Sequence, residues 1–395
     1  MNLTYEIRDD KGNKIACITG YEGNVKNLNI PEYIIEEDSM ISGSGTGDDS
    51  VTDNSVDLNG SHEISECFPA GGKRIPVTEI DNRAFASRSD IETVMLTDRI
   101  KKIRPYAFHS CHHLHYLSLT DSVVDYYDGA LRQCQELQEV EISFAHKNSF
   151  RLLKEMIGDS DSVFPVLIHF PVDEEHLSVD KPLSELPERA VKRVRIDSED
   201  GTSVSGTIVT AALTFPSYAD NYEEDTFSRA FHEHIEGSGY VTRQLVTRTD
   251  IDFAGYDRLF SRFTYDEPAS AVNAAFGRLM YPYKLSEEFR KQYEEYLREK
   301  SHEILPKLIA GYGAPRFGHE GELIWIPQDR TRTEERIMFM VEQELISEEA
   351  LAPALEAAAK EGAVTTSAML MDYQNRHFRN ADSGNVSFGP EIFEL

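Results

Sequence analysis

The residues best suited to chemistry form a cluster of imidazole and thiol side chains between positions 109 and 115. The cluster consists of His109, Cys111, His112, His113 and His115. Imidazole nitrogen and thiolate sulfur are ligands that zinc prefers in proteins, so a metal site is one interpretation. No second pair of cysteines or histidines at ligand spacing completes a tetrahedral set. We therefore predict no bound metal or other cofactor, and these five residues are the candidate ligands if a metal is bound.

Motifs for catalysis are incomplete elsewhere in the chain. The run His232-Glu233-His234 lacks the spacing that places two imidazoles on one face of a helix. The run from Gly237 to Thr242 does not complete a dinucleotide-binding loop, and no Gly-x-Ser-x-Gly occurs. Pairs of carboxylates are expected by chance among 69 acidic residues. The sequence favours a protein that is not an enzyme. The alternative is an enzyme or metal-binding protein with its site between residues 165 and 330 or at the histidine cluster.

The elements that would carry such side chains repeat with a period of 23 residues, as shown by Ile80, Ile103 and Tyr126. Other positions follow the same spacing: Ala84, Ala107 and Ala130; Phe85, Phe108 and Leu131; Ile91, Leu114 and Leu137; Val94, Leu117 and Val140; Leu96, Leu119 and Ile142. A period of 20 to 29 residues with this aliphatic pattern is typical of a solenoid that builds one parallel sheet. Each unit buries its apolar face only by stacking on a neighbour.

One repeat resembles a known family closely. The segment from Ile103 to Leu114 reads IRPYAFHSCHHL, which resembles the I-x-x-x-A-F-x-x-C-x-x-L unit of bacterial BspA-type leucine-rich repeats. The preceding repeat fits with Arg88 in place of the cysteine, and the following one with Leu131 in place of the phenylalanine. The resemblance implies a leucine-rich repeat solenoid that serves protein binding or adhesion, often at the cell surface. It supplies no catalytic residues.

Alternation along each predicted strand separates inward from outward side chains. The outward positions, which we call the ladder, are Thr93, Met95, Thr97, Tyr116, Ser118, Thr120, Glu139, Glu141 and Ser143. A rigid sheet that presents methionine, tyrosine and glutamate suits a protein partner, including one with basic groups. The sequence therefore predicts a non-enzymatic protein–protein interaction module that uses the ladder.

We predict an α/β repeat fold followed by an all-α C-terminal domain. Residues 1–34 form a β segment and a degenerate first repeat, and 35–70 an acidic, Ser/Gly-rich disordered insertion. The solenoid covers 71–250, with clear repeats in 75–145 and irregular strands at 163–168, 190–196 and 203–213. A helical domain follows in 251–380, with Asp252, Ser286 and Ser347 as helix N-caps. Its last two helices weakly resemble an ankyrin-type hairpin, and residues 381–395 form a loose tail.

Composition limits the partners and the compartment. The formal net charge of −29 disfavours nucleic acid and anionic membranes as partners. No signal peptide or apolar span is visible, so we predict a cytoplasmic protein, with the cell surface as the alternative that the family suggests. Of the four cysteines, Cys111 and Cys134 share one repeat position. They could form a bridge between adjacent rungs, but small buried side chains are the preferred interpretation.

Overall fold

The computed structural model describes residues 2–36, 73–146, 148–160, 162–172, 186–197, 203–217, 219–221, 234–266, 268–317 and 322–379. Most of the predicted insertion at 35–70, the predicted tail at 381–395, and residues 232 and 233 of the histidine motif lie outside these ranges.

The chain has a β-rich first part and a mainly helical second part. The strands are β1 Asn2–Asp10, β2 Asn13–Glu22, β3 Asn27–Asn29, β4 Tyr33–Glu36, β5 Lys73–Ile80, β6 Thr93–Met95, β7 Lys102–Ile103, β8 Tyr116–Thr120, β9 Asp125–Tyr126, β10 Glu139–Ser143, β11 Phe164–Val172, β12 Val191–Asp197, β13 Ser203–Phe215, β14 Ala219–Asn221, β15 His234–Glu236, β16 Tyr312–Phe317 and β17 Leu323–Pro327. The helices are α1 Arg151–Asp159, α2 Gly239–Gln244, α3 Phe253–Arg258, α4 Phe260–Asp266, α5 Pro268–Met280, α6 Glu287–Glu299, α7 Ser301–Ile309, α8 Arg330–Glu342, α9 Glu348–Lys360 and α10 Val364–Gln374.

The predicted ladder lies on a seven-stranded sheet with the order β12-β13-β11-β10-β8-β6-β3. Strands β3, β6, β8, β10 and β11 are parallel, and Val94, Leu117 and Val140 lie in register. Leu119 pairs with Ile142, and the N–H of Leu96 donates to the Ser118 carbonyl at 2.9 Å. The predicted solenoid fold is thereby confirmed. The sheet then continues beyond the clear repeats through antiparallel β13 and β12.

A second sheet closes the other side of the solenoid, with the order β1-β2-β5-β7-β9 and β4 paired to β5. Ile80, Ile103 and Tyr126 are adjacent on its parallel strands. The aliphatic rows of both sheets, together with Phe85 and Phe108, belong to one buried core. These two phenylalanine rings stack with their centroids 5.2 Å apart, because one repeat period places them on consecutive rungs.

The cysteine of the repeat has a backbone role. Cys111 donates from Sγ to the Phe85 carbonyl at 3.2 Å, and Cys134 donates to the Phe108 carbonyl at 3.1 Å. Both are buried free thiols, and burial raises the pKa of the Cys111 thiol to about 12. Each thiol therefore links its own rung to the phenylalanine of the preceding rung.

In the first clear repeat Arg88 stands at the cysteine position, and among the described residues no phenylalanine precedes this repeat. Arg88 donates from Nη2 to the Gly23 carbonyl at 2.6 Å and from Nε to Tyr21 and Asp90 at 2.8 and 2.9 Å. Its guanidinium also lies 3.9 Å from the centroid of the Tyr21 ring. Arg88 thus attaches the chain between β2 and β3 to the solenoid.

The helical part packs against the far end of the ladder sheet. Gly277 of α5 lies so close to β13 that a Cβ there would be 3.1 Å from the Ala212 methyl group. The carboxylate of Asp257, on α3, is buried and accepts from Arg278 Nε at 2.7 Å and from the Tyr293 hydroxyl at 2.8 Å. Asp252 and Ser286 cap α3 and α6 as the sequence predicts, by accepting from the backbone N–H of Gly255 and Phe289. Ser347 precedes α9 as predicted, but its side chain makes no capping hydrogen bond.

Candidate functional site

The ladder residues follow rows that cross the sheet from strand to strand. One row contains, in strand order, Asn29, Met95, Ser118, Glu141, Leu167 and Ala212. The row is polar or flexible from β3 to β10 and apolar on β11 and β13. Because α5 packs on the apolar end, the outward face of the sheet consists of a covered part and a part that the described helices leave open.

Glu139 belongs to the covered part of the ladder. Its Oε1 accepts a hydrogen bond from Arg332 Nη2 of α8, and the neighbouring Gln138 donates from Nε2 to the Pro327 carbonyl at 2.8 Å. Burial raises the pKa of the Glu139 carboxyl, although the charge of Arg332 opposes this effect. Glu139 therefore fixes the helical part on the sheet and is not freely available to a partner.

Glu141 is also engaged within the chain. It accepts from the Tyr116 hydroxyl through Oε2, and its Oε1 lies 2.9 Å from His169 Nε2. His169 Nδ1 in turn lies 2.9 Å from the Thr210 hydroxyl, so the network spans β8, β10, β11 and β13. Hydrogen bonding from His169 lowers the pKa of the Glu141 carboxyl.

A hydroxyl, an imidazole and a carboxylate in sequence are the parts of a nucleophilic catalytic triad. Thr210 is only 6% exposed and lies within a sheet strand, so a substrate has poor access to its hydroxyl. We interpret the network as a cross-strand tie, in which paired polar side chains stabilise the sheet.

Five ladder residues, together with two residues of β3, form what we call the open ladder: Asn27, Asn29, Thr93, Met95, Thr97, Ser118 and Thr120. Met95 lies at its centre with half of its side chain exposed. Asn27 and Asn29 are additions to the sequence-based set, and the Thr93 hydroxyl donates to Asn27 Oδ1 at 2.9 Å. The sequence could have identified these two residues. Leu28 aligns with the inward residue Leu117, so its two neighbours must point outward. Ser143, the last residue of β10, is also exposed.

The histidine cluster is spread around one turn of the solenoid. Cys111 points into the core, whereas His112 and His113 are exposed. His109 Nδ1 lies 2.8 Å from the Ser110 hydroxyl, and His113 and His115 lie 3.2 and 3.6 Å from Glu136. Burial lowers the pKa of His115. Within the described ranges, no three His, Cys, Asp or Glu side chains converge as metal ligands would.

The repeat region is similar to known proteins. Residues 74–152 match the BspA type leucine rich repeat region, with six copies, so this part of the chain consists of repeats of that type. A leucine-rich repeat protein from Bacteroides ovatus is 15% identical with a TM-score of 0.24, over 36% of this chain and 30% of that one. A leucine rich cell surface protein from Faecalibacterium prausnitzii is 20% identical with a TM-score of 0.23, over 38% and 33%. The chain thus spans about a third of the length of each structure. No curated protein gives a significant match.

Among the helices of the described residues, none is long and apolar enough to cross a membrane.

Proposed function

We propose that this protein is a non-enzymatic interaction module that binds another protein through the open ladder. The observation that carries the proposal is the half-exposed Met95 at the centre of a row of outward side chains on parallel strands. Interaction is also the general role of repeat solenoids, which present extended sheets to their partners. Fold alone does not determine function, so the proposal depends on this surface.

The physical basis of binding is a surface that is already ordered before the partner arrives. The strands on either side hold Met95, Ser118 and Asn29 in register, so that little backbone entropy is lost on association. Methionine is flexible and polarizable, and it is enriched at protein interfaces. Since Glu139 and Glu141 are engaged within the chain, the open ladder presents mainly neutral amide, hydroxyl and thioether groups to a partner.

The compartment and the excluded partners belong to the same proposal. The net charge of −29 opposes binding to nucleic acid and to anionic lipid. We place the interaction in the cytoplasm of a bacterium, with the cell surface as the alternative. Fractionation of the native cell with an antibody to this protein distinguishes the two locations.

The test compares two methionine substitutions. Met95→Glu places a charge at the centre of the open ladder, whereas the control Met371→Glu makes the same change at a residue of α10 that is similarly exposed, at 54%. Partners captured from native lysate by each purified variant are quantified by mass spectrometry. A central contact is worth about 2 kcal/mol or more, so we expect at least roughly tenfold weaker capture with Met95→Glu and unchanged capture with Met371→Glu. Equal capture by both variants would exclude the open ladder as the binding surface.

A further inference from the structure

A cavity of about 70 Å³ lies where the helical part meets the ladder. It is lined by residues of β10, β11, β13, α5 and α8 and of the loops that follow α5 and β17. The lining includes Glu139, Tyr281, Gln328, Arg332 and Arg336. A cavity of this size holds about five water molecules or the terminal group of a peptide. It opens beside β10, two strands away from Met95, which is a distance of about 10 Å.

Arg336 supplies a positive charge that makes no direct ion pair with a carboxylate of the described residues. It donates to the Gly313 carbonyl at 3.1 Å and to Asn273 Oδ1 at 2.9 Å, and both acceptors are neutral. Burial lowers the pKa of Arg336 to about 10. Arg332, one helical turn earlier, makes its ion pair with Glu139 through a single nitrogen. Since a guanidinium carries five N–H groups, both arginines retain donors for another oxygen.

The wall of the cavity also contains one buried polar atom without a hydrogen-bond partner among the described residues. Gln328 Oε1 is buried and accepts no hydrogen bond from any described residue. It lies against Gly313, where a Cβ would clash with it, and the Gly313 carbonyl is the acceptor of Arg336. The Gln328 amide oxygen is therefore close to the Arg336 guanidinium. Leaving a buried acceptor unsatisfied is costly, so such a group calls for a ligand or a water molecule.

We propose that the cavity binds the C-terminal carboxylate of a polypeptide. The carboxylate pairs with Arg336 and accepts from Arg332 and the Tyr281 hydroxyl, and the N–H of the last residue donates to Gln328 Oε1. Charge-assisted bonds from arginine favour a planar carboxylate, and the adjacent N–H distinguishes a peptide end from a simple anion. The inference rests on the proposed function, because it identifies which part of a protein partner reaches the end of the open ladder.

The probe is acetyl-alanyl-alanine, as the free acid and as the C-terminal amide, with free alanine and inorganic phosphate as further arms. Binding is followed by ligand-observed NMR, which detects dissociation constants on the order of 1 mM, as expected for a ligand of this size. We expect the free acid to bind at least tenfold more tightly than the other three. Equal binding of the amide or of phosphate would overturn the proposal, as would equal binding of free alanine, which would assign the site to amino acids. Absence of binding by the free acid would overturn it as well.

Substitutions then locate the binding. Arg336→Met should abolish the signal of the free acid, and the milder Tyr281→Phe should weaken it severalfold with the circular dichroism spectrum unchanged. The control Arg330→Gln removes one charge from the same helix at a residue that is two-thirds exposed, and should leave binding unchanged. Equal binding by Arg330→Gln and Tyr281→Phe would overturn the assignment.

The two proposals fail separately. Met95 is beyond the reach of the dipeptide, so Met95→Glu should leave dipeptide binding intact while reducing capture of the partner. Capture that depends on Met95 without any dipeptide binding would overturn only the cavity. Dipeptide binding with unchanged capture would overturn only the open ladder.

Discussion

Asp90 anchors the first turn of the solenoid, and its replacement by asparagine should destabilise that turn. The carboxylate accepts from the Tyr21 hydroxyl at 2.6 Å, from the Val25 backbone N–H at 2.7 Å and from Arg88 Nε at 2.9 Å. Val25 lies two residues before β3, the edge strand that carries two residues of the open ladder. Asp90→Asn removes the charge but keeps the size, so that the electrostatic contribution is isolated.

The magnitude follows from the pKa of the Asp90 carboxyl. Burial acts to raise this pKa, but the hydrogen bonds from Tyr21, Arg88 and Val25 outweigh it and lower the pKa from 3.8 to about 2. One pKa unit corresponds to about 1.4 kcal/mol, so the ionised carboxylate stabilises the fold by about 2 kcal/mol near neutral pH. The folded-state pKa lies below the unfolded one. The contribution is therefore complete well above about pH 4 and is lost as the pH falls through about 2.

The assay is urea unfolding of wild type and Asp90→Asn, supported by hydrogen exchange of residues 13–36. We expect a difference of about 2 kcal/mol near pH 7, which shrinks to less than about 1 kcal/mol near pH 2.5. The control is Glu92→Gln, because the ion pair of Glu92 with Lys26 is largely exposed and is worth little. A difference for Asp90→Asn that stays constant with pH would refute the electrostatic reasoning.

Two further predictions concern the helical part. Glu139→Gln and Arg332→Gln should couple by about 1 kcal/mol in a double-mutant cycle measured by thermal unfolding. The reason is that the two side chains are only 24% and 38% exposed. Additive effects of the two substitutions would contradict an ion pair that stabilises the packing of helix on sheet. Asp257→Asn should lower the free energy of unfolding by about 3–5 kcal/mol, since it leaves the fully buried Arg278 without its counter-charge. The double substitution Asp257→Leu with Arg278→Met should lower it much less. An equal loss in the two variants would contradict this account.

The sequence predicts the solenoid well because its signal is local and periodic. Aliphatic residues recur every 23 positions, and the structure places them in register on neighbouring strands. The predicted strands at 163–168, 190–196 and 203–213 also appear as β11, β12 and β13. Helix caps are equally local, which is why Asp252 and Ser286 could be identified from residue type and position alone. The domain boundaries and the role of the ladder stay predictions.

Backbone conformation inside the repeats was not predictable from residue type. Ser87, Ser110 and Gln133 each adopt a left-handed conformation, with φ near +60°, at one equivalent position of three successive turns. A second position does the same in Arg83, Tyr106 and Gly129. Glycine at these positions would have predicted a left-handed conformation, but residues other than glycine occupy five of the six. The stacked core overrides the local preference, and that stacking is a tertiary effect.

The packing of helices on the ladder was also hidden, because it depends on contacts between residues far apart in sequence. Glu139 and Arg332 are separated by 193 positions, and no periodic pattern connects them. One signal existed in hindsight. The outward row that is polar at Ser118 and Glu141 becomes apolar at Leu167 and Ala212, and an apolar row on a sheet face requires cover.

The helical part therefore covers one part of the outward face of the ladder sheet. Its contacts indicate which chemical groups can pack against this face. On β10 the Glu139 carboxylate accepts a hydrogen bond from the Arg332 guanidinium, and on β13 the backbone of α5 packs closely against Ala212. On β3, β6 and β8 the same geometry continues with neutral side chains, because parallel strands repeat their outward rows in register. A partner on the open ladder would consequently lie beside α5 and α8. It would reach the cavity of Arg336 where these helices meet the sheet. Binding of the partner should then depend on these helices as well as on the strands. A solenoid without its helical part would therefore lose part of its affinity for the partner even where Met95 is intact.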